Sequence, residues 1–136
     1  MLAPDGVNKS FDANANGYVR GEGGAAIVIK KLSQAERDLQ ENKGGPILAV
    51  IRGAAVNQNG RSASFTAPNG SAQRDLLRDA LRQARVSPQQ VALVETHGTG
   101  TPLGDPIEWG ALRDVMLQNS STAPLIVGAV KSTIGM

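Results

Sequence analysis

Residues 91–106 read VALVETHGTGTPLGDP and join a short apolar run to a glycine-rich loop. The run at 91–94 is continuous, aliphatic and rich in valine, which is typical of a buried strand. A helix is predicted from Pro106 to about Gln118, and a further strand is predicted at 125–130. The stretch therefore predicts two parallel strands joined by a helical crossover.

The chain before this stretch extends the same alternation. The segment 47–51 is predicted as a strand that continues loosely to Val56. Further along the chain, apolar residues recur at a spacing of 3.6 residues, which predicts a helix; these residues are Leu76, Leu77, Ala80, Leu81 and Ala84. Another buried strand is predicted at 24–30, and a short exposed helix, capped by Ser33, at 34–41. The two early strands are close enough in sequence to pair. The order from residue 47 is βαβαβ, which predicts an α/β fold with a parallel sheet.

Composition excludes several classes of protein. The 136 residues fit one domain. The formal net charge of +2 comes from charged residues scattered along the chain, and only four aromatic residues are available for base stacking, so a nucleic-acid interface is not expected. The chain has no cysteine and one histidine, which excludes a disulfide framework and a thiolate or histidine-rich metal site. No signal peptide or apolar run of membrane-spanning length is found, so we expect a cytoplasmic protein without membrane contact.

The single histidine, His97, directly follows the strand at 91–94, and Lys131 directly follows the strand at 125–130. Ligands of open α/β sheets collect beyond the carboxyl ends of the strands, so these two loops can converge on one crevice. Histidine titrates nearest neutral pH, which favours chemistry here, although a lone histidine is more often structural. Both interpretations stay open on this pattern alone.

The loop after His97 has the residues of a ligand-binding turn. Its glycines permit a tight path, and the hydroxyls of Thr99 and Thr101 are suited to bond an extended ligand that bears amides. A plainer interpretation is a strand-to-helix turn in which Asp105 caps the helix and Pro106 takes its first position. The glycine spacing fits neither the dinucleotide fingerprint nor a P-loop.

Several motifs together resemble one family. The run ETHGTGTPLGDPIE at 95–108 resembles the histidine motif of the β-ketoacyl synthase domains of modular polyketide synthases. Four other motifs resemble the same family, and they are FDA with GYVRGEG at 11–23, VNQNG at 56–60, TAPNG at 66–70 and VGAVKS at 127–132. The resemblance covers essentially the whole chain, with the motifs in the family's order.

The resemblance implies a thiolase-like fold of two related halves and a decarboxylative Claisen condensation. In that reaction a cysteine takes an acyl chain as a thioester, a malonyl-type extender loses carbon dioxide, and the enolate attacks. Both substrates are carried on the phosphopantetheine of an acyl carrier protein, and no cofactor is bound directly. The implied partners are this carrier protein, the rest of the ketosynthase domain and, in the intact enzyme, a second copy.

Site residues also follow from the resemblance. His97 matches the first of two histidines that hold the thioester carbonyl of the extender as enolate charge develops, and Thr99 and Thr101 match threonines that bond the phosphopantetheine arm. Lys131 matches the catalytic motif lysine and is expected to pair with Glu108, with a purely structural buried ion pair as the alternative. Asp105 is assigned a supporting role.

The sequence departs from the family pattern at two places. It contains no cysteine, and Met136 stands where the second histidine is expected, although a thioether cannot donate a hydrogen bond. We therefore expect an internal segment of a ketosynthase, with 1–45 ending the N-terminal half and 46–136, mainly the βαβαβ unit, beginning the C-terminal half. Its own condensing activity is expected to be absent. The alternatives are a non-catalytic module that binds pantetheine and carrier protein, and a fragment that cannot fold stably.

Overall fold

The computed structural model describes residues 1–62, 64, 67–117 and 124–136. Its helices and strands are, in chain order, α1 Leu32–Gln40, α2 Gly70–Ala84, a 3-10 turn Pro88–Gln90, β1 Leu93–Glu95, α3 Gly104–Met116, β2 Ile126–Gly128 and α4 Lys131–Ile134. Thr66 of the TAPNG motif and Gln118, at the predicted end of the helix that starts at Pro106, lie outside the described residues. The chain forms two compact units, of which one is Met1–Glu22 with Gly53–Met136 and the other is Gly23–Arg52.

The larger unit is built around a parallel strand pair. β1 and β2 pair in parallel with Val94 opposite Val127, and α3 is the crossover between them. The ladder continues past both ends of the strands, because Ile126 N–H donates to Ala92 O and Thr96 N–H donates to Gly128 O, each at 2.9 Å. The predicted βαβ crossover is confirmed, with strands that are shorter than the apolar runs.

The two long helices supply the core of this unit. α2 begins at Gly70, where the side chain of Asn69 accepts hydrogen bonds from Ser71 N–H and Ala72 N–H at 3.0 and 3.2 Å and so caps the helix. The buried cluster of α3 packs against Leu77 and Leu81 of α2; it consists of Leu112, Val115 and Met116. The apolar stripe predicted at 76–84 thus faces α3, as its spacing requires.

Three short segments of the larger unit are joined by backbone hydrogen bonds beside the His97 loop. Leu2 forms a parallel bridge with Tyr18, and Met136 exchanges hydrogen bonds of 2.7 Å with Val19 O and Gly21 N–H. Gly17 N–H donates to Gly100 O at 2.9 Å, which connects these segments to the glycine-rich loop. Residues far apart in sequence are therefore held around that loop.

The smaller unit contains α1. The helix begins at Leu32, one residue before the predicted cap Ser33, which makes no capping hydrogen bond; Lys31 occupies the cap position. Asp38 accepts hydrogen bonds from Lys30 Nζ at 2.5 Å and Gln34 Nε2 at 2.6 Å, and the bond from Lys30 is the main reason that the pKa of Asp38 lies below its ordinary value. These contacts are all exposed.

The two strands predicted in the smaller unit are wrong. No strand is assigned at 24–30 or at 47–51. Every residue of the two segments except the half-buried Ile47 is exposed, with Val28 at 96% and Leu48 at 92%. A strand requires a neighbouring strand to complete its hydrogen bonds, and neither segment has one within residues 23–52. An apolar run indicates a segment that can be buried, whereas its pairing depends on what lies beside it. In the described part of the chain, no helix is long and apolar enough to cross a bilayer.

Candidate functional site

His97 lies two residues beyond the end of β1, in a loop whose backbone is held by one carboxylate. Glu108 of α3 accepts hydrogen bonds from His97 N–H at 2.7 Å and from Gly98 N–H at 2.9 Å, one to each carboxylate oxygen. The preceding residue, Thr96, is buried and donates its N–H and its hydroxyl to Gly128 O. The imidazole itself is exposed and makes no hydrogen bond to the described part of the chain. The backbone is thus fixed, and the ring is available to a ligand.

A second carboxylate, Asp105, holds the middle of the loop. Its side chain is 3% exposed and accepts hydrogen bonds from Gly100 N–H at 3.1 Å and from Thr101 N–H at 3.3 Å. It also accepts from Phe11 N–H at 2.7 Å. The prediction that Asp105 caps α3 is wrong, because the carboxylate points to backbone groups that precede the helix and to a distant segment.

The start of α3 is instead served by Thr101. Its hydroxyl accepts a hydrogen bond from Gly104 N–H at 3.2 Å, and Asp105 N–H donates to Thr101 O. α3 consequently begins at Gly104, two residues before the predicted first position, Pro106. Thr101 therefore has a structural role in addition to any contact with a ligand.

Two glycines of the loop are required by their surroundings. Gly98 and Gly100 have φ values of +42° and +74°, in the left-handed region that side chains disfavour. A Cβ atom at Gly100 would lie 2.6 Å from the Oδ1 atom of the buried Asn8, and one at Gly98 would lie 2.8 Å from Thr96 Oγ1. The tight path predicted from the glycines is the observed one.

Four of the six predicted site residues share one cleft of about 550 Å³ in the larger unit. His97, Thr99, Thr101 and Glu108 all line it, and so does Met136. Thr99 is 8% exposed, and its hydroxyl lies 3.4 Å from that of Thr101. The other lining residues are Met1, Asn16, Gly17, Tyr18, Pro68, Gln73, Pro102, Leu103 and Gly104. A ligand that filled this cleft would lie beside His97, Thr99 and Thr101.

A second cavity, of about 740 Å³, shares Thr101 and Pro102 with the lining of the His97 cleft. Its walls include Phe11, Trp109 and Asp105.

Lys131 lies outside this arrangement. It is the first residue of α4 and lines neither the His97 cleft nor the second cavity. The expected ion pair with Glu108 is not formed, because the carboxylate of Glu108 is directed at the N–H groups of His97 and Gly98. The two backbone donors orient the carboxylate of Glu108 toward the loop, which sequence spacing cannot reveal.

Two further contacts near the site were not predicted from the sequence. Ser10 Oγ donates to Gly98 O at 2.5 Å, and Glu95 Oε1 accepts from Val130 N–H at 2.6 Å. Ser10 adjoins the FDA motif and Glu95 begins the histidine motif. The motifs therefore indicated where these two residues lie in the sequence, but not which groups they bond to. Within the described ranges, no three histidine, aspartate or glutamate side chains come together as metal ligands.

A parallel βαβ unit with a histidine loop beyond the carboxyl ends of its strands defines an α/β protein with a site at the sheet edge. The chain belongs to the β-ketoacyl synthase family. The pattern of the family described as "Beta-ketoacyl synthase, C-terminal domain" matches residues 48–136, and that of "Beta-ketoacyl synthase, N-terminal domain" matches residues 1–35.

Relatives of known sequence agree with this assignment. The chain is 50% identical over 135 residues to one of the phenolphthiocerol/phthiocerol polyketide synthase proteins of Mycobacterium tuberculosis, in a match that covers 99% of this chain and 6% of the relative. It is also 50% identical over 135 residues to another protein of that synthase from the same species, covering 8% of that relative. The chain therefore spans a small part of the polyketide synthases that it matches.

Solved structures show the thiolase-like ketosynthase fold. The ketosynthase from module 6 of the bacillaene synthase of Bacillus subtilis superposes with a TM-score of 0.90 at 43% identity, over 99% of this chain and 24% of that one. A ketosynthase domain for oxazolomycin from Streptomyces albus gives 0.88 at 41% identity, over 98% and 22%. The predicted fold class and the predicted ketosynthase segment are confirmed.

Proposed function

We propose that the cleft containing His97 is the part of a ketosynthase active site that holds a malonyl-type thioester during decarboxylative Claisen condensation. The supporting observation is that His97, Thr99 and Thr101 line one cleft, on a loop whose backbone is fixed by Glu108 and Asp105. The condensation itself belongs to the whole ketosynthase domain, of which this chain spans about a quarter of the length of its solved relatives.

In this proposal His97 donates a hydrogen bond to the thioester carbonyl oxygen. As carbon dioxide leaves, negative charge develops on that oxygen, and a donor already in place stabilises the enolate without reorganisation. The imidazole suits this role because it is exposed at the cleft and has no hydrogen-bond partner among the described residues, while its own backbone N–H is anchored to Glu108.

Thr99 and Thr101 are proposed to bond the phosphopantetheine arm of an acyl carrier protein. A hydroxyl both donates and accepts, so a pair of hydroxyls can engage the N–H and C=O groups of the arm's amides. The hydroxyl of Thr101 also accepts a hydrogen bond from Gly104 N–H, which leaves its donor and one acceptor site for the arm. The arm arrives with the substrate, and no separately bound cofactor is proposed.

Supporting roles follow for the remaining residues. Glu108 and Asp105 fix the loop, and Lys131, which lines neither cavity, is proposed to act through α4 and not by direct contact with substrate.

We place the end of the N-terminal half within 1–45 and the start of the C-terminal half within 46–136. The proposed partners are acyl carrier protein, the rest of the ketosynthase domain and, in the whole enzyme, a second copy, in the cytoplasm.

The chain as it stands is not expected to condense substrates. It contains no cysteine to accept the acyl group, and Met136 lines the cleft with a thioether that cannot donate a hydrogen bond. Incubation with acyl and malonyl carrier-protein thioesters should yield no β-ketoacyl product. Any turnover would show that another residue serves as nucleophile.

A second candidate function is a binding module without catalysis, which the absence of cysteine favours while both cleft threonines are retained. Titration of the ¹⁵N-labelled chain with phosphopantetheinylated carrier protein tests binding in either case. We expect the amide chemical shifts of His97, Thr99 and Thr101 to change on addition of the carrier protein. The variant Thr99→Val should bind the carrier protein more weakly. The control is Ser33→Ala, which removes an exposed hydroxyl of α1 that lines neither cavity. No shift in the wild-type chain would overturn the proposed use of this cleft.

A further inference from the structure

Glu95 connects the ends of the two parallel strands and lines neither cavity. It is the last residue of β1, and its Oε1 atom accepts a hydrogen bond of 2.6 Å from Val130 N–H, 35 residues later. Val130 directly precedes α4 and is its N-terminal cap residue, with a side chain that cannot make a capping hydrogen bond. Val130 N–H has its acceptor in the side chain of Glu95 and not in a backbone carbonyl. A hydrogen bond to an ionised carboxylate is stronger than one between neutral groups.

The position of this carboxylate is set by the strand opposite. Glu95 is in register with Gly128 of β2, and Thr96 donates both its N–H and its hydroxyl to Gly128 O at 2.9 and 2.7 Å. A Cβ atom built on Gly128 would lie 2.6 Å from Glu95 Oε2. Any side chain at residue 128 would thus displace the carboxylate from its place over the strand pair.

The segment that Glu95 holds leads to the cleft. α4 runs from Lys131 to Ile134, and two residues later Met136 lines the cleft that contains His97. The far end of this segment is fixed by the hydrogen bond from Met136 N–H to Val19 O at 2.7 Å. The near end is fixed at Val130 by Glu95, so one carboxylate sets where α4 departs from the sheet.

We propose that Glu95 is a positioning residue that fixes the turn at Val130, and through it the segment 131–136, whose last residue, Met136, lines the His97 cleft. The functional meaning of this positioning rests on the proposed function, since it concerns a wall of the proposed substrate cleft. The hydrogen bond itself requires no ligand, so its test is independent of whether pantetheine binds there.

The test is the backbone amide of Val130 in the full chain, followed by ¹⁵N NMR and hydrogen exchange. In Glu95→Ala the amide proton of Val130 should move upfield and exchange faster, and the amides of 131–136 should shift with it. Those of α2 should keep their positions. Glu95→Gln should lie between the wild type and Glu95→Ala, because its amide oxygen still accepts a hydrogen bond. The matched control is Glu36→Ala, at an exposed glutamate of α1, which should leave Val130 unchanged.

A second variant keeps the proposal falsifiable if Glu95→Ala fails to fold. Gly128→Ala leaves the carboxylate present but occupies its space, so it should reproduce the loss of the Val130 signature. The proposal is overturned if the Val130 amide is the same in Glu95→Ala or in Gly128→Ala as in the wild type. It is also overturned if Glu95→Gln is no nearer to the wild type than Glu95→Ala is.

Discussion

Asp105 Oδ2 accepts a hydrogen bond of 2.7 Å from Phe11 N–H, across 94 residues of sequence. The same carboxylate accepts from Gly100 N–H and Thr101 N–H, so it joins the segment around Phe11 to the loop that carries His97. A buried carboxylate with three backbone donors is satisfied only while both segments keep their places. The relationship makes Asp105 a structural centre of the candidate site.

Asp105→Ala should lower the free energy of unfolding by about 3 kcal/mol, because it leaves buried N–H groups without an acceptor. Chemical denaturation followed by circular dichroism measures the change. Asp79→Ala is the matched control, since Asp79 forms only an exposed pair with Arg82 of the same helix and should change stability by less than about 0.5 kcal/mol. Equal effects of the two substitutions would contradict the role given to Asp105.

Gly100→Ala and Gly110→Ala should have opposite effects. At Gly100 the left-handed backbone and the approach of Asn8 Oδ1 should make alanine destabilising by about 2 kcal/mol. Gly110 lies within α3 with nothing within 4 Å of a Cβ atom, so alanine there should stabilise by about 0.5–1 kcal/mol. Thermal unfolding of both variants measures the two changes in stability. If both substitutions stabilised the chain, or both destabilised it, the result would be inconsistent with this loop geometry.

Leu112→Ala should destabilise the chain by about 3 kcal/mol, because it opens a cavity in the cluster between α2 and α3. The matched substitution Leu48→Ala removes the same atoms from a side chain that is 92% exposed and should cost less than about 0.5 kcal/mol. A large effect at Leu48, measured by urea unfolding, would mean that this apolar segment is covered in solution.

Hydrogen exchange should separate two groups of amides. The central amides of α2 and α3 should be protected, since these helices share the buried cluster. Amides at 24–30 and 47–51, which belong to no helix or strand, should exchange near the rate of an unstructured peptide. Exchange at that rate throughout the chain would instead support the alternative of a fragment that cannot fold stably.

In a complete ketosynthase that carries this segment, His97→Ala should reduce the condensation rate by about two to three powers of ten if the imidazole supplies one donor to the developing enolate. Product formation from acyl and malonyl carrier-protein thioesters measures the loss, with Ser33→Ala as the unaffected control. A loss of less than tenfold would indicate that His97 only shapes the loop.

Much of the fold was predictable because its signals are local. The apolar spacing at 76–84 predicted a helix that packs on α3, and two apolar runs separated by a helix predicted the parallel pairing of β1 with β2. The segments 24–30 and 47–51 have equally apolar sequences but no strand, because strand formation depends on a partner that the segment itself does not contain. Periodicity indicates what a segment can bury, and the surroundings decide whether it does.

The site was predictable in its members but not in its contacts. The run from His97 to Asp105 identified the loop, and the motifs identified the family, yet Asp105 was predicted as a helix cap and Glu108 as the partner of Lys131. Both carboxylates bind backbone N–H groups instead. Such contacts depend on side-chain direction and on the path of distant segments, neither of which residue spacing encodes.

The sequence by itself determined the βαβ unit, the family and the loop where His97 and the two threonines lie, because periodicity and motif order are properties of the chain alone. Only the tertiary structure decided that Asp105 meets Phe11, that Glu95 meets Val130 and that Lys131 stays outside the cleft. The physical reason is that a hydrogen bond needs its two atoms within about 3 Å. Groups separated by tens of residues reach that distance only when the whole unit has packed.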